Sequence, residues 1–182
     1  MGLVLAGGRS SRMGMDKAEL VIQGESLLEH SVRCLKEAGA EQVLVSGEGY
    51  EGGIPDVFPG TGPLAGVHAA LVATQQDLLV LPVDMPQMSP EILSALPSIG
   101  QETVVAHYAG FPLPLFVKYS AQVVEFLEST LSGDGDKAVR CLFRAFNCQM
   151  LNSDNTADFL NVNTSDQWAT FNAQVKKKQR KS

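Results

Sequence analysis

The run Leu5-Ala6-Gly7-Gly8-Arg9-Ser10-Ser11-Arg12-Met13-Gly14-Met15-Asp16-Lys17 decides how the rest of the chain reads. Leu3-Val4-Leu5-Ala6 predicts a short buried strand that breaks abruptly into a glycine pair. Glycine opens backbone conformations closed to other residues and lets the chain approach a ligand closely. Consecutive N–H groups in such a turn form a concave anion site that needs no side chain. Arg12 would add a planar fork of donors and Lys17 a point charge. A ligand with several phosphates suits this arrangement.

The two common phosphate loops do not fit. A Walker loop needs G-x-x-x-x-G-K-S/T, but Met13 follows Gly8 by five residues and Gly14 precedes Met15. A dinucleotide fingerprint needs G-x-G-x-x-G, which Gly7-Gly8 cannot start and which Gly60, Gly62 and Gly66 miss by one residue.

Composition narrows the classes further. A chain of 182 residues, 45% hydrophobic and 19% charged, suits one globular domain with a sizeable core. A net charge of -6 argues against a broad nucleic-acid surface, so an anionic ligand must be held by a local positive site. Residues 1–175 are expected to form the domain. The basic run Lys176-Lys177-Lys178-Gln179-Arg180-Lys181 falls in a segment, 176–182, that reads as a disordered, solvated tail. Cys34, Cys141 and Cys148 show no C-x-x-C spacing, which speaks against a disulfide framework or a zinc site. No signal peptide or membrane-spanning window is evident, so the expected compartment is cytoplasmic, with neither membrane nor nucleic acid as partner.

Past the loop, Glu19–Gly24 reads as a short extended piece ending in a turn. Ser26 is placed to cap a helix carrying Leu28, Val32 and Leu35, with Gly39 as its stop. Gln42–Ser46 reads as a second strand, so strand, helix, strand suggests a right-handed crossover in a parallel sheet. The glycine- and proline-rich loop that follows contains Asp56, and Pro63 opens another helix after Gly60-Thr61-Gly62. Leu78–Val83 reads as a buried central strand with Asp84 at its carboxyl end, where open α/β sheets bind ligands. A carboxylate there is placed to hold Mg²⁺ against a triphosphate, since Mg²⁺ takes one or two carboxylates plus phosphate oxygens.

Further on, Ser89-Pro90-Glu91 opens a short helix, Thr103–His107 reads as a strand, and Phe111–Val117 as an edge or irregular strand because of Pro112 and Pro114. Helices are expected over Tyr119–Leu131 and Lys137–Phe146. Arg140 and Arg144 on the latter, and His30, His68 and His107, read as ordinary helix or strand residues. Phe159–Thr164 reads as a short strand into a helix capped by Thr164. Asn161 and Asn163 would share one side of that strand, to bind a substrate or to close a loop. No G-x-S-x-G or Cys/His arrangement offers a covalent nucleophile.

The string L-A-G-G-x-S-x-R-M-G-x-D-K, with Pro59–Gly66 and Val83–Pro86, resembles the molybdenum cofactor guanylyltransferases of the nucleotidyltransferase superfamily. The resemblance implies a single-domain, Rossmann-like three-layer α/β/α fold with a mostly parallel sheet. It implies transfer of GMP from GTP to molybdenum-molybdopterin with Mg²⁺, and transient contacts with other cofactor-biosynthesis proteins or acceptor apo-enzymes. It puts the backbone of Leu5, Ala6, Gly7 and Gly8 against the nucleotide, with Lys17 and Arg12 at the phosphates. Asp56 would help hold the guanosine, Asp84 the metal, and Asn161 and Asn163 the molybdopterin. Lys17, Arg12 and Asp84 are then the catalytic set. The chain departs from the family at Ser46-Gly47-Glu48, where an asparagine is common. Relatives acting with CTP or on sugar and alcohol phosphates usually read Ala-Ala-Gly at the loop, so Gly7 favours the guanylyl branch. A catalytically silent nucleotide-binding carrier is the alternative from another class.

Overall fold

The computed structural model describes residues 1–6, 17–47, 49–50 and 52–179. The first strand, β1 (Gly2–Leu5), is buried along its whole length. It is followed by a turn of 3-10 helix at Lys17–Glu19 and a small antiparallel hairpin, β2 (Val21–Ile22) and β3 (Glu25–Ser26). Gln23 and Gly24 both take positive φ (54° and 87°) at its tip, the geometry that suits the twist of a two-residue hairpin. Helix α1 (Leu27–Glu37) starts as its sequence dictates. The Glu29 N–H donates to Ser26 Oγ while the Ser26 N–H donates to the Glu29 carboxylate, closing a capping box. Gly39 follows its end at φ 103°.

The chain then forms β4 (Val43–Ser46), β5 (Gly53–Ile54), α2 (Pro63–Thr74), β6 (Leu78–Pro82), α3 (Pro90–Ala95), β7 (Val105–Tyr108), β8 (Phe111–Val117), α4 (Ala121–Ser132), α5 (Arg140–Ala145), β9 (Cys148–Leu151) and α6 (Ser165–Gln179). Among the described residues the main sheet has seven strands in the order β5-β4-β1-β6-β8-β7-β9. β8 runs antiparallel to both neighbours and the other pairings are parallel. The mostly parallel sheet expected from the sequence is therefore the one observed.

Strand alternation separates two cores. Val4, Leu79, Leu81, Ala106 and Phe116 face a layer holding Leu27 and Leu35 of α1, Leu93 of α3 and Phe171 of α6. Leu3, Leu5, Leu78, Val80 and Leu115 face the opposite layer, with Leu64 and Leu71 of α2, Leu127 of α4 and Leu142 of α5. Helices on both faces explain why these strands read as continuous apolar runs. The result is the three-layer α/β/α arrangement.

Several expectations need correction. Phe111–Val117 is an interior strand, not an edge. Leu115–Val117 supply its paired length against β6, while Pro112 and Pro114 fall where the β7 register shifts between His107 and Tyr108. The residues before α6 form a 3-10 turn (Thr156–Phe159) and then extended chain, not a strand. There the Val162 N–H donates to the Asp84 carbonyl rather than to a strand ladder. Helix α6 runs through Gln179, so Lys176–Gln179 belong to a helix rather than to a disordered tail, and residues 180–182 lie outside the described residues. Strands β5 and β9 are additions to the elements the sequence suggests.

β1 leads through α1 to β4 on one side, while β6 leads on to β8 and β7 on the other. The connections diverge between β1 and β6, and such a point opens a crevice at the carboxyl ends of the strands. Gly66, in the first turns of α2, roofs this end. A Cβ there would lie 2.5 Å from Ser46 Oγ, 2.8 Å from Ser46 Cβ and 3.0 Å from a Leu5 methyl. Gly66→Ala is expected to destabilise the fold by about 1–3 kcal/mol through overpacking, measurable by chemical denaturation.

Candidate active site

Three side chains from distant parts of the chain meet at the β1–β6 crevice. Lys17 opens the 3-10 turn, anchored by buried Ala18 beside it. Its Nζ lies 3.1 Å from Asp84 Oδ2 and donates to Asn163 Oδ1 at 2.8 Å. The Lys17 and Asp84 side chains keep 20% and 18% of their exposure, so the pair is half-sheltered yet open to a ligand.

Each member is fixed by its own backbone. Asp84 sits in the turn after β6, where the Val83 N–H donates to the Leu5 carbonyl at 3.1 Å and binds that turn to the end of β1. The end of β1 is thereby joined to the residue that precedes Asp84. The Asp84 carbonyl accepts from Val162 N–H at 2.9 Å, which brings the segment before α6 across the crevice. Asn163 is held from behind by Gln167, whose Oε1 accepts from the N–H groups of Asn163 (2.7 Å) and Thr164 (3.2 Å). The Gln167 N–H donates in return to Thr164 Oγ1, completing a second capping box. Sequence reasoning named Thr164 as the cap but missed Gln167. The spacing Thr164-x-x-Gln167 carried the signal.

No paired strand runs through Asn161 and Asn163: Asn163 accepts from Lys17, while Asn161 lines a groove of about 300 Å³ with Leu160, Asp166 and Phe171. Asp56 lies past β5 on the other flank of β1 and is half-buried. Burial pushes its carboxyl above the ordinary aspartate value, and a hydrogen bond from Ser46 opposes that rise. Gly62, at φ 89°, precedes Pro63 at the start of α2, where no side chain caps the helix. Gly7, Gly8 and Arg12 lie outside the described residues, as does Glu48.

The arrangement suits an anionic, metal-bearing substrate. Among the described residues no three His, Cys, Asp or Glu side chains cluster to hold a metal ion by themselves. A lone, half-sheltered carboxylate paired to an ammonium fits a Mg²⁺-type ion whose remaining ligands are phosphates and water. It does not fit a structural metal cage.

The histidines and Arg144 have local partners. His30 lies among Glu25, Arg33 and Cys34, His68 meets Glu128, and His107 Nδ1 meets the carbonyls of Tyr108 and Phe111. Arg144 forms an exposed pair with Asp136. Among the described residues no helix is long and apolar enough to cross a membrane.

The fold and sequence have known relatives. Residues 2–151 match the family model for the MobA-like NTP transferase domain. A molybdenum cofactor guanylyltransferase of Xanthomonas euvesicatoria is 41% identical over 175 residues, 92% of each chain. The solved molybdopterin-guanine dinucleotide biosynthesis protein A of Archaeoglobus fulgidus superposes with a TM-score of 0.74 at 24% identity, covering 97% of this chain and 98% of that one. A Mycobacterium tuberculosis protein solved in complex with manganese gives a TM-score of 0.65 at 23% identity, over 94% and 96% of the two chains. The chain belongs to the molybdenum cofactor guanylyltransferase family, within the MobA-like NTP transferases.

Proposed function

We propose that this chain transfers GMP from GTP to molybdenum-molybdopterin, forming molybdopterin guanine dinucleotide and pyrophosphate. The observation that carries the reading is the meeting of Lys17, Asp84 and Asn163 at the β1–β6 crevice. An oxygen of the terminal phosphate of molybdopterin attacks the α-phosphorus of GTP. A new P–O bond forms as the bond to the β-phosphate bridging oxygen breaks, and pyrophosphate leaves with that electron pair. Both reactants are anions, so the protein's work is to position them and to neutralise charge.

Within this reading Leu5 and Ala6 offer backbone to the nucleotide, together with Gly7 and Gly8 of the loop. Lys17 holds phosphate oxygens as pyrophosphate departs, with Arg12 beside it. Asp56 accepts hydrogen bonds from the guanosine. Asn163, already joined to Lys17, stands where the second substrate must bring its phosphate, and Asn161 lies further along the same segment. Asp84 is the residue that would hold Mg²⁺. When bound, such an ion neutralises phosphate charge and orients the triphosphate. A protein of the same fold solved in complex with manganese is in keeping with a divalent ion at this site. The three free cysteines accord with a cytoplasmic setting. Cofactor-biosynthesis proteins or acceptor apo-enzymes would meet the chain transiently to pass substrate and product.

Pyrophosphate release with GTP and molybdenum-molybdopterin tests the reaction. Lys17→Ala is expected to lower kcat by about a hundredfold or more, as loss of one preorganised electrostatic donor does. Turnover within a fewfold of wild type would remove Lys17 from the mechanism. Calorimetry with GTP, CTP and ATP in magnesium is expected to show preference for GTP. Asp84→Ala should abolish the magnesium-dependent part of that binding, and equal magnesium dependence in the variant would place the metal elsewhere.

A further inference from the structure

Ser46 is the last residue of β4, in register with Leu5 of β1 on one side and Ile54 of β5 on the other. It is 3% exposed, an unusual degree of burial for a hydroxyl at the mouth of a crevice. Gly66 closes over it so tightly that even a methyl group on that glycine would meet the Ser46 oxygen at 2.5 Å. The side chain therefore sits between two strands and a helix, with little freedom to turn. A buried hydroxyl needs a partner, and the structure provides one: Ser46 Oγ lies 3.4 Å from Asp56 Oδ1 and donates to it.

Asp56 itself stands in a loop, past a strand of two residues, where backbone alone does not fix a carboxylate. Among the described residues no charged side chain acts on it, and burial and the Ser46 hydroxyl are the two influences on its ionisation. The 3.4 Å separation is longer than the ordinary O–H···O distance. Hydrogen bonds of this kind are commonly loose before substrate arrives and shorten when it does.

We propose that Ser46 is a positioning residue for the nucleoside, its hydroxyl, locked under Gly66, aiming the Asp56 carboxylate into the crevice. The inference rests on the reading of Asp56 as a guanosine contact and adds the group that orients it. Ser46 does not touch the reacting phosphates, so its effect falls on nucleotide affinity and on the pH at which that affinity is lost.

The test is calorimetric titration of the full chain with GTP in magnesium, for wild type, Ser46→Ala, Asp56→Asn and the double variant. Alanine is smaller than serine and fits beneath Gly66. Ser46→Ala is expected to weaken GTP about fivefold, the size of one net hydrogen bond, with kcat at saturating GTP changed less than about twofold. The double variant should bind no worse than Asp56→Asn alone, because the hydroxyl acts through the carboxylate. Repeating the titrations from about pH 4.5 to 7 adds a second readout. The Ser46 hydrogen bond favours the charged carboxylate, so its removal raises the Asp56 pKa further. The acid-side loss of GTP affinity should therefore begin at higher pH in Ser46→Ala than in wild type.

An equal loss on adding Ser46→Ala to Asp56→Asn would show a merely structural role and overturn the proposal. So would a Ser46→Ala protein that binds and titrates like wild type while Asp56→Asn binds weakly. If Asp56→Asn itself binds GTP like wild type, the guanosine contact is wrong, and the role of Ser46 falls with it.

Discussion

The Lys17 ammonium joins parts of the chain that are otherwise remote, reaching Asp84 across 67 residues and Asn163 across 146. The contact ties the start of the polypeptide after β1, the end of the central strand β6 and the segment leading into α6. A carboxylate as sheltered as Asp84 carries a desolvation cost unless a cation stands beside it. Asn163 adds a neutral acceptor that uses a second of the three ammonium donors. Charge compensation and hydrogen-bond satisfaction thus favour the same convergence, in a chain whose net charge of -6 would otherwise repel phosphates.

That convergence depends on the sheet beneath it. β1 and β6 are apolar on both faces because helices cover both, and their register brings Leu5 opposite Pro82, with the Val83 N–H continuing onto the Leu5 carbonyl. The ladder carries Asp84 to the strand end without any side chain having to direct it. On the other flank, the absence of a side chain at Gly66 lets α2 descend onto Ser46 and Leu5. The start of that helix is therefore close to the same crevice. Strand ends, a bare helix start and the ammonium cluster lie at one end of the sheet.

Much of this was legible in the sequence. Apolar runs ending at Ala6 and Val83, a proline opening α2 and a serine capping α1 are local signals, and local interactions made them good. Lys17 and Asp84 could be named because one is a cation beside a glycine loop and the other a carboxylate at the carboxyl end of a buried strand, where open α/β sheets bind ligands. What escaped was non-local. That Phe111–Val117 lies inside the sheet depends on pairing with Leu78–Val80, a relation no periodicity within β8 reveals. The proline-based inference of irregularity was sound, but it described the bulged half of the strand and not its place. The absence of a strand over residues 161–163 had the same cause, since Val162 bonds to the Asp84 turn rather than to a neighbouring strand. The extension of α6 through Lys176–Gln179 ran against an expectation drawn from charge and terminal position. Cations at a helix C-terminus are in fact favoured by the helix dipole.

The strength of the Lys17–Asp84 contact also bears on what such a site can do. Both side chains retain about a fifth of their exposure, so solvent screens the pair and it stabilises the fold by about 1 kcal/mol or less. A fully buried pair would hold more tightly, but removing one partner would then leave a costly unpaired charge. A weak, half-open pair avoids that penalty. In the proposed reaction the ammonium can transfer its hydrogen bonds to an arriving phosphate, while Asn163, being neutral, tolerates the loss of its partner. The Asp84 carboxylate, released in the same exchange, would then be the group to hold a divalent ion. A cluster strong enough to order the crevice, yet weak enough to give way to a triphosphate, is what charge neutralisation between two anionic substrates requires.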